Sequence, residues 1–221
     1  ANRGVSDFDR THRFVASWLW DLPKTRVAHA FLTDWKISGI VTAMSGLPID
    51  VVDTGVGSTG AGSFYGLSGG STPLARPNLV ADPGKPPPGY FFNPFAFARP
   101  IIQSGQPIPS SGGTAIAAVT GADIGNLGRN VLRGPRQANV DLALTRHFPF
   151  LETKAIEVRA EFFNVFNWVN YANPLSDFNG ITSSAGSIDS SGRVIYPGDF
   201  GRVISTSNNP RIIQLAIKVN F

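Results

Sequence analysis

The chain has 221 residues and a formal net charge of +4, with 42% hydrophobic and only 15% charged residues. Its 24 glycines and 17 prolines exclude a helical bundle or coiled coil and point to strands joined by turns and long loops. The bases are scattered singly, among them Arg10, Arg13, Lys24, Arg26, Arg76, Arg129, Arg133 and Arg136. With no basic run, the surplus charge predicts solvation and no nucleic-acid binding.

Five segments alternate with the period of two that a half-buried strand requires. In the first, Phe14, Ala16, Trp18, Trp20 and Leu22 share one face, against Arg13, Val15, Ser17, Leu19 and Asp21. The second sets Trp35, Ile37, Gly39, Val41 and Ala43 against Lys36, Ser38, Ile40, Thr42 and Met44. The third puts Val140, Leu142 and Leu144 opposite Asn139, Asp141, Ala143 and Thr145. In the fourth, Ile156, Val158, Ala160 and Phe162 oppose Glu157, Arg159 and Glu161. The fifth sets Ile213, Leu215, Ile217, Val219 and Phe221 against Gln214, Ala216, Lys218 and Asn220. Each is longer than the usual strand of a globular sheet and matches the roughly 9–11 residues of a tilted membrane-spanning strand.

The expected fold class is therefore all-β: long antiparallel meander strands with two long Gly/Pro-rich loops. As domain organisation, we expect a single β-barrel segment over 1–221, with strands near 13–22, 34–45, 138–148, 154–167 and 211–221. The long loops are 47–136 and 168–210, and 47–53 and 114–120 are places where further strands could form. Short connections alternating with long ones match the periplasmic turns and extracellular loops of an outer-membrane barrel. With the C-terminus on the periplasmic side, both long loops fall outside. Trp20, Trp35, Phe148, Phe150, Phe166, Trp168 and Tyr171 gather near strand ends, as aromatic girdles do. A soluble β-sandwich, wet on one face, gives the same alternation.

Chemistry is sparse. The absence of cysteine removes thiolate nucleophiles, disulfides and cysteine metal sites together. Gly55–Gly60 matches G-x-G-x-x-G and Gly66–Gly70 matches G-x-S-x-G, but neither is followed by a segment able to hold the required helix. His12, His29 and His147 are too far apart in sequence for a metal motif. The run Asp189-Ser190-Ser191-Gly192 reads as a turn rather than a calcium loop. Glu157 and Glu161 share a strand face about 13 Å apart, too far for a glycosidase pair. With Arg159 they read as lumen-facing or solvated charges. No catalytic residue, metal ligand or cofactor is expected, and no enzymatic activity.

Five blocks, taken together, resemble the C-terminal barrel segment of a TonB-dependent receptor of the Oar-like, carboxypeptidase-regulatory-domain type. They are DRTHRFVASWLWDLP at 9–23, WKISGIVTAMSGLPIDV at 35–51, NLGRNVLRGPRQANVDLALTRHF at 126–148, VRAEFFNVFNWVNYANP at 158–174 and PRIIQLAIKVNF at 210–221. They follow the family's order across nearly the whole chain. The closing strand, with Leu215, Ile217 and Val219 alternating before Phe221, resembles the C-terminal signal read by the outer-membrane assembly machinery.

The resemblance implies a bacterial outer-membrane receptor: a 22-stranded barrel with a plug, importing a ligand with energy from an inner-membrane partner. The plug, the energy-coupling box and most of those strands are not in this sequence, and five strands do not close a barrel. The expected partners are then the remaining barrel and plug, together with outer-membrane lipid. The alternative is a processed fragment, starting at Ala1, whose open edges pair with identical copies in an extracellular fibre or tube. A secreted carbohydrate-binding sandwich would explain the aromatics but not the order of the blocks.

Overall fold

A computed structural model describes residues 4–23, 34–54, 76–106, 119–120, 125–151 and 154–220. In chain order, β1 (Arg13–Asp21) and β2 (Trp35–Met44) are long strands. Short pieces follow: β3 (Pro48–Ile49), β4 (Asn78–Leu79), β5 (Phe97–Ala98), β6 (Ile101–Ile102), β7 (Val119–Thr120) and β8 (Leu132–Arg133). Then come the long β9 (Gln137–Leu151) and β10 (Lys154–Phe163), and a single turn of helix, α1 (Gly180–Ser183). The short β11 (Ser187–Ile188) and β12 (Val194–Tyr196) precede the last long strand, β13 (Ile212–Asn220).

The five alternating segments form the five long strands. They make one sheet in the order β1-β2-β9-β10-β13, antiparallel throughout. The sheet is a meander and is not closed. Arg13 pairs with Met44, Met44 with Gln137, and Phe163 with Ile212, so both long connections leave from the same end. The two short connections leave from the other end. Because the strands number five, the edge strands β1 and β13 run in the same direction, from the long-connection end to the short one.

The chain divides into two compact units. The sheet belongs to the unit made of Arg10–Gly46, Pro135–Tyr171 and Thr206–Phe221. The other unit gathers Ala1–Asp9, Leu47–Gly134 and Ala172–Ser205, that is, the bulk of both long loops. Sequence patterning describes these stretches only as turn-rich. Their described residues nonetheless enclose a core of Ile49, Val51, Phe92, Ala96, Phe97, Leu127, Phe178, Ile181, Val194 and Phe200. Phe200 meets Phe92, Phe97 and Phe178 edge to face, at centroid distances of 5.1, 5.6 and 5.4 Å. This geometry places ring edges on ring faces, where their electrostatics attract.

Polar groups complete that unit. Asp53 is wholly buried and bidentate to Arg99, at 2.7 and 2.8 Å. Arg76, itself buried, clamps Asp50 at 2.8 and 2.7 Å. Asp177 of the second loop receives Thr54 N and Oγ1 of the first at 3.1 and 2.5 Å, and Phe178 N donates to Val52 O at 2.7 Å. The two loops therefore fold as one body. Of the two places noted for extra strands, 47–53 holds β3 and an isolated bridge from Val52 to Asp177, and 119–120 is β7. Residues 114–118 lie outside the described residues.

Candidate functional site

Register decides what the long sheet presents, because residues directly opposite in a ladder share a face. Trp20 stands opposite Ile37, Ile37 opposite Leu144, Leu144 opposite Ala160, and Ala160 opposite Leu215. The next row toward the long-connection end is Trp18, Gly39, Leu142, Phe162 and Ile213. The alternations of five separated segments thus fall into phase, and one side of the sheet is apolar across all five strands. Its edge positions are open to the surroundings: Leu215 is 76% and Ile217 74% exposed.

One charge interrupts that side. Arg146 stands opposite Trp35 and Val158, and its guanidinium lies 4.3 Å from the ring centre of Phe148 and 5.5 Å from that of Trp35. A guanidinium spreads its charge over a plane and tolerates an aromatic face. The side chain is buried beside these rings.

The opposite side carries the predicted charges. Glu157 stands between His147 of β9 and Lys218 of β13, and its carboxylate lies 3.5 Å from His147 Nε2. Arg159 and Glu161, two apart on β10, pair at 2.7 Å. Across β1 and β2, Asp21 and Lys36 pair at 3.5 Å. Ser38, Thr42, Asn139, Asp141, Thr145 and Gln214 fill the same side. All these groups are at least partly solvated, so each ion pair contributes little stability, on the order of 1 kcal/mol or less. Their significance lies in sidedness: the charged and polar groups gather on one face, with Val15, Leu19 and Ile40 among them, and the other face is mainly apolar, interrupted by Arg146.

Of the predicted C-terminal signal residues, Leu215, Ile217 and Val219 project on the apolar side of β13, while Phe221 lies outside the described residues. Trp20, Trp35 and Phe148 lie toward the short-connection end of the apolar side. Phe166, Trp168 and Tyr171 lie past the other end of β10, where Phe166 and Trp168 stack at 5.0 Å. The Phe150 side chain and the motifs at 55–60 and 66–70 lie outside the described residues, as does His29. Among the described residues no group of three His, Asp or Glu is placed to hold a metal. Asp189 closes a turn: one carboxylate oxygen accepts Ser191 N, Ser191 Oγ and Arg193 N at 2.7–2.9 Å. These bonds, the Ser191 hydroxyl foremost, hold its carboxyl below the usual range.

Sequence patterning missed a clasp at the exit of β10. Asn164, Asn167 and Asn170 recur every third residue, and the first two adopt left-handed backbone at φ 52° and 53°. Asn164 Nδ2 donates to Trp168 O at 3.0 Å and Asn209 O at 3.2 Å, while its backbone N donates to Asp141 at 2.8 Å. Asn167 accepts Arg211 N at 2.9 Å, and Asn170 exchanges both amide bonds with Ala138 at 2.8 Å. The clasp thereby fixes where β13 begins relative to β9 and β10. The spacing was the available signal, since asparagine tolerates this conformation and bonds backbone locally.

No curated protein and no solved structure matches the chain. A family model described as "Outer membrane beta barrel domain" matches residues 1–214. That match spans almost the whole of the 221 residues and agrees with long antiparallel strands that are apolar on one side and charged on the other. The chain therefore belongs to the outer membrane beta-barrel domain family and is a protein of the bacterial outer membrane.

Proposed function

We propose that this chain is the C-terminal β-barrel portion of a TonB-dependent receptor, a non-catalytic transport component. Its apolar side would meet lipid, and Glu157, Arg159 and Glu161 would face the lumen. One observation carries the reading: across five strands, the ladder rows place apolar residues on the same side, with Arg146 a charge among them in the described ladder. In hydrocarbon such a face gains by burial, while backbone groups at open edges must find strand partners. The five ordered motif blocks favour the TonB-dependent type, with the remaining barrel and plug as partners.

Strand direction favours this partner over identical copies. Copies inserted in the same orientation would join β13 to the next β1 as a parallel pair, since both run the same way. Bacterial barrels are antiparallel with even strand numbers. An odd number of further strands, interposed between β13 and β1, preserves that pattern.

The chain has no cysteine, so single-cysteine labelling tests the face assignment cleanly. In vesicles containing brominated lipid, a fluorophore at Leu215→Cys should be quenched, and one at Ala216→Cys should instead respond to an aqueous quencher. The reverse pattern would overturn the lipid-facing assignment. The receptor reading is tested by the native polypeptide's mass in detergent extracts. A chain several times 23.6 kDa is expected, and a 23.6 kDa species pelleting as fibres without detergent would sink it.

A further inference from the structure

We propose that the apolar side ends, at the long-connection end, in a site for the phosphate head of a membrane lipid, formed by His12, Ser45 and Arg136. The inference rests on the lipid-facing reading above. The ladder runs one residue past the strand ends: Ser45 N donates to His12 O at 2.9 Å, and His12 N donates to Ser45 Oγ at 3.1 Å. Met44 stands opposite Gln137, so antiparallel counting sets Ser45 opposite Arg136. Alternation then puts His12, Ser45 and Arg136 on the side of Phe14, Ala43 and Ala138.

These six residues, together with Thr11 and with Arg13, Met44 and Gln137 at the sheet's end, line one open groove of about 830 Å³. Its outer row offers an imidazole and a guanidinium, donors matched to phosphate oxygens, with the Ser45 hydroxyl between them held to the His12 backbone, accepting from its N at 3.1 Å and donating to its O at 3.3 Å. Arg10 adds positive charge alongside, anchored to Ser45 O at 2.7 Å and Gln137 Oε1 at 3.1 Å. Among the described residues no carboxylate lines the groove, whereas the charges of the polar side pair among themselves.

The inner row decides between a lipid and a soluble anion. Ala43 and Ala138 are small, and exposed Phe14 stands beside them. They leave a shallow apolar lane that runs from the cationic row onto the apolar side. Free phosphate has no use for such a lane, but an acyl chain below a phosphate head fits it. The lane also lies at the level of a membrane interface, where basic groups attract anionic lipid heads.

The test uses the full chain in detergent micelles, equilibrated with phosphatidic acid, with diacylglycerol of the same chains, or with inorganic phosphate. Retained ligand is counted by native mass spectrometry. Phosphatidic acid should be retained, the other two not. His12→Gln with Arg136→Gln should weaken retention about tenfold, the size of one lost charge-assisted contact. Arg136→Lys should recover part of it, and Lys218→Gln on the polar side should change nothing. Equal retention of diacylglycerol, or full competition by inorganic phosphate, would overturn the assignment, as would a double variant that binds normally. Quenching at Leu215→Cys, read on the same protein returned to vesicles containing brominated lipid, separates the failures. If quenching persists while retention is unchanged, only this site is wrong; if quenching is absent, the lipid-facing reading is wrong.

Discussion

The indole of Trp18 occupies the space above Gly39 that a side chain there would fill. A Cβ at Gly39 would lie 2.4 Å from Trp18 Cζ2, 2.7 Å from Cη2 and 2.8 Å from Leu142 Cδ2. The two residues are directly opposite in the β1–β2 ladder. Glycine normally weakens a strand; here its missing side chain lets one aromatic ring cover the ladder and reach β9. Gly39→Ala should therefore cost about 1–3 kcal/mol by overpacking. In a Trp18→Ala background the same change should cost clearly less, because of the close contacts only Leu142 Cδ2, the tip of a flexible side chain, then remains. Thermal unfolding in detergent, read as a double-mutant cycle, checks this. Equal costs in both backgrounds would refute it.

Sidedness makes neighbouring residues respond oppositely to the same substitution. Leu215→Arg places a cation on the apolar side and should destabilise the membrane-inserted protein by about 2–4 kcal/mol near the bilayer midplane. Ala216→Arg, one residue on, points to the solvated side; even directly opposite Arg159 it should cost no more than about 1 kcal/mol. Denaturant titration from vesicles measures both. Similar losses would mean that the sheet lacks the proposed orientation.

Asp53 and Arg99 should behave as an indivisible pair in the loop unit. Asp53→Ala leaves a largely buried guanidinium without its carboxylate and should cost about 3–5 kcal/mol. Replacing both, as Asp53→Leu with Arg99→Met, should recover most of that loss, since no buried charge remains. Limited proteolysis of the loops reports the outcome. A double variant as labile as the single one would show that the pair has a role beyond compensating its own burial.

The segment before β1 should respond to acid. Asp7 accepts Asn130 Nδ2 at 2.7 Å and Arg129 at 2.6 Å. The Asn130 bond, then Arg129, holds its carboxyl below the usual range. A carboxyl lowered on folding contributes its stability in full above the unfolded value of about 3.9. That contribution is lost as pH falls through the folded value. Asp7→Asn should remove that contribution, lowering the loop unit's stability at neutral pH, and should flatten its pH dependence below about pH 4. An unaltered acid limb would assign that dependence to other carboxylates, Asp189 among them.

Local alternation by itself determined the five long strands and which residues of each share a side. Period-2 patterning is a property of neighbours: Glu157, Arg159 and Glu161 must part from Ile156, Val158 and Ala160 wherever the strand lies. The motif blocks at 9–23 and 210–221 likewise pointed to an outer-membrane barrel, a class that the family match supports. Only the tertiary structure decided how five alternations come into phase, because register depends on pairing across connections as long as the one from Met44 to Gln137. It also decided the loop unit. Phe92 and Phe97 belong to the aromatic stretch 90–97 and Phe178 and Phe200 stand about 80 to 110 residues further on, and their edge-to-face cluster forms between two loops separated by β9 and β10. Burial of that kind depends on which distant residues meet, and neither composition nor periodicity records it.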